Sequence, residues 1–311
     1  MRFVRKLDEL KRVPRVISIG VFDGVHLGHQ HILKTLVAAR ERENLDRSLL
    51  ISFDPHPLAL LRPDTPPRMI STLEERVSKL EGHGPDELLV LPFTHELAST
   101  PFDVFAREIL LKQLGMRHLV AGYDFRMGKG RGATAEDMAA LGEDLGFRVE
   151  VVTPCYLDGE IISSTRIRAA VNDGDLESAA DRLGRPFSLS GKVIRGDGRG
   201  RGLGFPTANL ETFPQSKLLP PAGVYRVRVR WEGAQAEGLM NLGMAPTLRD
   251  RFLAEIHLLD FKDDLYGIQL DVDVLQRFRS EEKFSDVELL RAEIARDVAR
   301  LRSILESKNR E

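Results

Sequence analysis

The chain has little of what several large protein classes require. It has one cysteine, Cys155, in 311 residues. No intrachain disulfide and no four-cysteine zinc site can form, and a reducing compartment is expected. No apolar run approaches the roughly 18 residues that span a bilayer. Residues 1–8 lack the apolar core of a secretory signal, so a cytoplasmic protein with no membrane partner is expected. Net charge is only −2, from 45 Lys and Arg against 47 Asp and Glu, which leaves no basic field for nucleic acid. One Trp and four Tyr give no obvious base-stacking platform. Walker A and Gly-x-Gly-x-x-Gly spacings are both missing, as are internal repeats and low-complexity tracts.

What is there is an ordinary globular composition, 42% hydrophobic and 30% charged, at a length that suggests about two domains. The two halves differ in rhythm. In the first 185 residues, apolar runs at 16–22, 49–53, 88–91, 118–121 and 149–152 alternate with helical segments. Helix starts are expected at Ser71 with Glu74, at Thr100 ahead of Pro101 and Asp103, and at Thr134 with Asp137. This pattern implies an α/β domain with a parallel sheet, its ligand site at the C-terminal ends of the strands. After Pro186 the period becomes two. Tyr225, Val227, Val229 and Trp231 alternate with Arg226, Arg228 and Arg230. Further strands are expected at 235–242, 253–259 and 269–275, then a helix over 285–305. A small antiparallel barrel with a terminal helix fits.

The most informative stretch is Ile19-Gly-Val-Phe-Asp-Gly-Val-His-Leu-Gly-His29. A strand breaks at Asp23-Gly24, and His26 and His29 sit where a helix begins, with Ile32, Leu33, Leu36 and Val37 on one face. Backbone N–H groups and imidazoles there form an anion site. The stretch resembles the signature of the His-x-Gly-His nucleotidyltransferases, to which class I aminoacyl-tRNA synthetases carry a related one. The near-neutral charge speaks against a tRNA partner.

Other segments carry chemistry. Phe53-Asp-Pro-His-Pro57 stiffens His56 between prolines; a rigid turn and a ligand loop both fit. Gly122-Tyr-Asp-Phe-Arg-Met-Gly128 places Asp124 among aromatics, as a ring pocket or a packed loop. Lys129 and Arg131 suit phosphate or solvent equally. Ser163, Ser164 and Thr165 are capping residue types with Arg166 and Arg168 just inside the helix, where cations oppose the dipole unless an anion is bound. In the second half, glycine fills every second position from Gly196 to Gly204, followed by Phe205-Pro-Thr-Ala-Asn209. On an extended chain Thr207 and Asn209 share a face, and a hydroxyl with an amide suits Mg²⁺. Glu255 and His257 share a strand face opposite Ile256. Glu255 there is either a proton acceptor or a solvent-facing carboxylate.

In this order and spacing the segments, with Asn241-Leu-Gly-Met-Ala-Pro-Thr247 and Asp264-Leu-Tyr-Gly267, resemble the bacterial bifunctional riboflavin kinase/FMN adenylyltransferase family over nearly the whole chain. The resemblance implies a Rossmann-like nucleotidyltransferase domain at 1–185 and a riboflavin kinase domain, a six-stranded barrel, at 186–311. It implies phosphorylation of riboflavin to FMN and adenylylation of FMN to FAD, with ATP as co-substrate and Mg²⁺ as cofactor. His26, His29 and Glu255 are then catalytic, with Thr207 and Asn209 on the metal. Flavin or nucleotide binding falls to Gly20, Phe22, Asp23, Gly24, Gly28, His56, Asp124, Phe125, Arg126, Ser163, Ser164, Thr165, Arg168, Gly200, Gly202, Gly204 and Pro206. A weak or transient homo-oligomer is expected. Met127, Ala133 and Ala245 depart from the family's usual residues. A monofunctional adenylyl- or cytidylyltransferase and a flavin-storage protein are the rivals; separate phosphate signatures in both halves weigh against each.

Overall fold

The computed structural model describes residues 1–196, 198–245, 251–282 and 284–308. It divides into two compact units, Met1–Ser164 and Thr165–Glu311.

The first unit is built on a six-stranded, wholly parallel sheet. Its strands are β1 (Arg2–Val4), β2 (Arg15–Ile19), β3 (Arg47–Asp54), β4 (Glu87–Pro92), β5 (Met116–Gly122) and β6 (Arg148–Val152), in the order β1-β4-β3-β2-β5-β6. The chain runs outward from β2 through β3 to β4 and then returns to the other side as β5. The switch point of the sheet therefore lies between β2 and β5, where α/β folds open a crevice. The core strands are buried on both faces, as their near-continuous Val, Ile and Leu require. On one face Val16, Leu50, Leu88 and Val90 pack against Leu33, Leu36 and Ala39 of α1 (Leu27–Arg42). On the other, Ile17, Leu49, Ile51 and Leu119 pack with Phe105 and Leu110 of a π-helical turn (Phe105–Gln113), and with Met138 of a later helix.

Shorter helices connect the strands. They are α2 (Pro57–Leu61), α3 (Leu73–Glu81), α4 (His95–Ser99), α5 (Phe102–Val104) and α6 (Ala135–Leu145). Thr134 and Asp137 form the expected reciprocal cap on α6. The other two expected starts shift. The cap on α3 is Thr72 with Glu75; Ser71, one residue earlier, is drawn inward by Asp23. Thr100 ends α4, its hydroxyl donating to the Glu96 carbonyl. The first expected strand also ends early, at Ile19, because Phe22 already has left-handed backbone angles. The short β7 (Tyr156–Leu157) and β8 (Glu160–Ile161) form a hairpin.

The second unit opens with α7 (Ser164–Asp173), which starts at the boundary, and α8 (Leu176–Leu183). A closed antiparallel barrel follows, in the order β10-β13-β12-β11-β14-β9. Its strands are β9 (Phe187–Ile194), β10 (Ala208–Leu210), β11 (Gly223–Trp231), β12 (Ala234–Ala245), β13 (Arg251–Leu258) and β14 (Gln269–Ser280). A helical turn, α9 (Arg199–Gly202), interrupts the glycine-rich loop. The helix α10 (Val287–Lys308) lays Leu301 against Val224, Leu239 and Phe278 on the barrel wall. Tyr225, Val227 and Val229 point inward as the period of two requires. The opposite face departs from a simple solvated row. Arg226 is only 5% exposed because it shares Glu237 with Arg228 across the strand pair. Strands β1, β9 and β10 were not expected from the pattern. Pro246 and Thr247 of the 241–247 segment lie outside the described residues, as do Asp197 and the side chain of Ala245. Among the described residues no helix is long and apolar enough to cross a membrane.

Candidate active sites

In the first unit a cavity of about 350 Å³ opens at the C-terminal ends of the parallel strands. Gly20 and Phe22 follow β2, Phe53 is next to last in β3, and Gly122 ends β5. Asp124, Phe125, Arg126 and Met127 line the side beyond β5, and His29 the side toward α1. The apolar walls Leu58, Phe93 and Leu97 were not anticipated; isolated apolar residues on short helices and in a loop carry no distinguishing pattern.

Helix α1 begins at Leu27, between the two histidines. His26 is therefore the cap, its Nδ1 accepting from the His29 backbone N–H at 3.3 Å. With Nδ1 as acceptor, the ring N–H is at Nε2. The imidazoles of His26 and His29 stack with centroids 3.6 Å apart and planes 17° from parallel. Gly28 makes this possible, because a side chain there would press the His26 ring at 3.2 Å. His29 lines the cavity and His26 lies behind it, 6% exposed.

Other expected site residues have structural partners. The Asp23 carboxylate is buried and accepts from the N–H groups of Ile70 and Ser71, each at 3.0 Å, and from the Ser71 hydroxyl at 3.1 Å. The Gly24 N–H donates to the Ser71 hydroxyl oxygen. His56 caps α2, its Nδ1 accepting from the Leu58 N–H at 3.0 Å. The Ser164 hydroxyl donates to the Asp23 carbonyl at 3.2 Å. Ser163 precedes α7, while Thr165 and Arg168 ride on it in the second unit.

On the barrel, register does the assembling. Asn209 of β10, Glu255 of β13 and Asn241 of β12 stand directly opposite one another, one row across three strands. Ala254 and Ile256, the neighbours of Glu255, are fully buried inside, so the row faces outward. It meets a cavity of about 580 Å³ that takes in Gly200, Phe205, Thr207, Glu255 and His257, with Leu290 and Ile294 of α10. A second cavity of about 400 Å³ lies beside it, lined by Pro206, Thr207, Lys262, Asp264 and Tyr266. Thr207 lines both. The glycine loop lies over this junction. Phe205 N–H donates to the Gly200 carbonyl at 2.8 Å, and a Cβ on Gly200 would lie 2.5 Å from the Phe205 carbonyl oxygen. Gly202 and Gly204 shape the loop without lining either cavity.

The donor set fits a hard cation that keeps most of its waters. Among the described residues no cluster of three His, Cys, Asp or Glu could cage a metal. The Asn209 amide is 6% exposed and packs beneath Gly196, where a Cβ would fall 2.8 Å from its Oδ1. With the Thr207 hydroxyl two residues away, this is the sparse oxygen set Mg²⁺ accepts when substrate phosphates complete it.

Asp297 and Asn241 are among the residues of the larger cavity that sequence reasoning did not assign to the site. Asp297 lies 3.0 Å from Arg279; burial pushes its carboxyl above the usual range, against the pull of Arg279. Its signal was an acidic residue in the buried helical stripe Leu290, Ile294, Leu301. Asn241 opens a segment that carries the family resemblance, but only the register sets it opposite Glu255.

A family model described as FAD synthetase matches residues 9–166, and one described as riboflavin kinase matches residues 183–305. The chain belongs to the bifunctional riboflavin kinase/FMN adenylyltransferase family. The bifunctional enzyme of Pseudomonas fluorescens is 38% identical over 310 residues, covering 98% of each chain. That of Escherichia coli K12 is 36% identical over 303 residues, covering 96% of each. A solved structure from Streptococcus pneumoniae, described as a macrolide-efflux protein, matches with a TM-score of 0.85 at 30% identity, over 96% of this chain and 97% of that one. The family's two halves fall on the parallel-sheet unit and on the barrel.

Proposed function

We propose that the two reactions of this family run in separate cavities of this chain, phosphorylation of riboflavin on the barrel and adenylylation of FMN at the parallel sheet. The protein is a bifunctional kinase and nucleotidyltransferase of flavin-cofactor synthesis. The activities are assigned to residues 186–311 and 1–185 respectively.

The observation that carries the kinase reading is Thr207, which lines two adjoining cavities. Phosphoryl transfer needs two substrates brought end to end. The larger cavity, with Phe205, Leu253 and Ile294, suits a flavin ring; the smaller, with Lys262 and Tyr266, suits a nucleotide. Glu255 accepts the proton of the riboflavin 5′-hydroxyl as that oxygen attacks the γ-phosphorus of ATP and the bond to the leaving ADP breaks. Thr207 and Asn209 would hold Mg²⁺, which when bound offsets charge on the ATP phosphates.

At the sheet, the FMN phosphate is already anionic and needs no base. It attacks the α-phosphorus of ATP while His26 and His29 donate toward the charge that builds there. The flavin lies in the apolar part of the cavity, between Phe53, Phe125 and Met127. Ser163 and Ser164 supply hydroxyls for the pyrophosphate. We further assign the enzyme to the cytoplasm, as at most a weak or transient homo-oligomer, with no nucleic-acid or membrane partner.

Chromatography of riboflavin, ATP and Mg²⁺ after incubation with the protein tests the reading. FMN should accumulate first and FAD follow with pyrophosphate. Pyrophosphate release from supplied FMN without riboflavin phosphorylation would reduce the chain to a monofunctional transferase. Flavin binding without ATP turnover would make it a carrier.

A further inference from the structure

Between β2 and α1 the backbone is under strain. Phe22, Gly24 and Val25 have φ of 55°, 77° and 44°. Glycine adopts such angles freely, but phenylalanine and, above all, β-branched valine do not. A strained segment persists only where its surroundings over-determine it. Here the surroundings are residues 70–76, the lead-in and first turn of α3. Ile70 and Ser71 clasp the Asp23 carboxylate, and Ser71 also accepts from the Gly24 N–H. Ile70 packs so closely on Gly24 that a Cβ there would lie 2.8 Å away.

Arg76 completes the clasp. It is 2% exposed, and its guanidinium donates to the Val21 carbonyl at 2.8 Å and the Phe53 carbonyl at 3.2 Å. Those carbonyls sit at the ends of β2 and β3, on the rim of the cavity. No carboxylate lies within ion-pair distance of Arg76 among the described residues. Burial lowers its pKa from the ordinary value, against the pull of Asp23, Asp54 and Glu74. A buried cation engaged with two strand-end carbonyls does little that an apolar side chain would not do for packing alone. It does fix where both loops leave the sheet.

We propose that residues 70–76 are a strap that holds the strained 22–25 segment and so aims His26 and His29. Ser71 and Arg76 are positioning residues for adenylyl transfer, and Asp23 serves the strap rather than a substrate. This rests on adenylyl transfer occurring in this cavity. The β2–β3 register is set by backbone pairing and involves neither Ser71 nor Arg76. Cutting it therefore relaxes the loop and leaves the unit folded.

The test uses the full chain carrying Ser71→Ala, Arg76→Gln or Arg76→Lys. Misplacing a positioned group costs up to about 10²-fold in rate. FAD formation from supplied FMN should lose about 10- to 100-fold in kcat, with KM for FMN and ATP within about twofold. Riboflavin phosphorylation in the same sample should be unchanged. Lysine at 76, able to reach one of the two carbonyls, should restore part of kcat. Should Arg76→Gln fail to fold, Ser71→Ala decides alone. A kcat within about twofold of the parent in Ser71→Ala, or equal losses in Arg76→Gln and Arg76→Lys, would overturn the strap. His29→Ala is run in parallel: undiminished FAD formation in that variant would instead overturn the placement of the reaction in this cavity.

Discussion

On the proposed reading the two units handle phosphate by opposite means. At the parallel sheet the site is made by backbone: a strand end, a strained turn and the first turn of α1, with imidazoles stacked on that helix start. On the barrel it is made by side chains in register. Asn209, Glu255 and Asn241 fall in one row because antiparallel pairing sets them opposite each other. The difference follows from topology. Parallel strands all end on one edge of the sheet, so loops and helix N-termini converge there. A closed barrel has no such edge, so its chemistry sits on a wall, beneath a loop and a helix.

If the two devices are independent, each can be broken alone. The largest effect is expected on the wall. Glu255→Gln keeps size and removes the proton acceptor, and a general base is worth about 10²–10⁴-fold. Riboflavin phosphorylation should fall by that order while supplied FMN still becomes FAD at the parent rate; an unchanged kinase rate would remove the base assignment. His29→Ala is the mirror case. Losing one transition-state donor costs about 10²–10³-fold, and only FAD formation should show it. Equal loss of both activities in a folded protein would end the claim of independence.

Asn209→Ala sharpens the metal side of the contrast. Kinase activity should fall, and raised Mg²⁺ should recover part of it if the amide is a ligand; the measurement is kinase rate against Mg²⁺ concentration. Recovery should be confined to the kinase, since Asn209 lies in the second unit.

The smallest effect concerns stability. Asp86 lies in the first unit and accepts from the Ser48 N–H and hydroxyl and from Arg40. Burial alone would raise its pKa, but these hydrogen bonds outweigh it and hold the carboxyl below the ordinary aspartate value. A lowered folded pKa means stability that is present above the unfolded value and lost as pH falls through the folded one. Asp86→Asn should cost about 1–3 kcal/mol at neutral pH, and the gap from the parent should close below pH 3.8. Urea unfolding reads this by unit. Trp231, the single tryptophan, is in β11, so its fluorescence should not shift while the backbone circular dichroism does. A shift in both would mean that the units unfold together.

Much of the molecule was legible along the chain. Five of the parallel strands announced themselves because buried strands read as apolar runs, and β11 because one wall of a barrel alternates. β1 and β10, at three residues each, are too short to carry a period. The histidine stretch was legible because the residue types, the glycines and the strand-to-helix change coincide. Asp23 shows the limit. The family resemblance implies a ligand-binding role for it, while its oxygens accept from Ile70 and Ser71, 47 and 48 residues away.

By itself, then, the sequence determined the two rhythms, the order of the phosphate-bearing segments and the residue types that meet phosphate. Each of these depends on neighbours a few positions apart, through backbone angles and side-chain period. Tertiary structure alone decided which of those residues face a cavity. It placed His29 in front of His26, set Asn241 opposite Glu255, made Thr207 a residue of two cavities, and turned Asp23 and Arg76 inward. Those outcomes come from strand order, register and packing between segments far apart in the chain, and no local pattern encodes them.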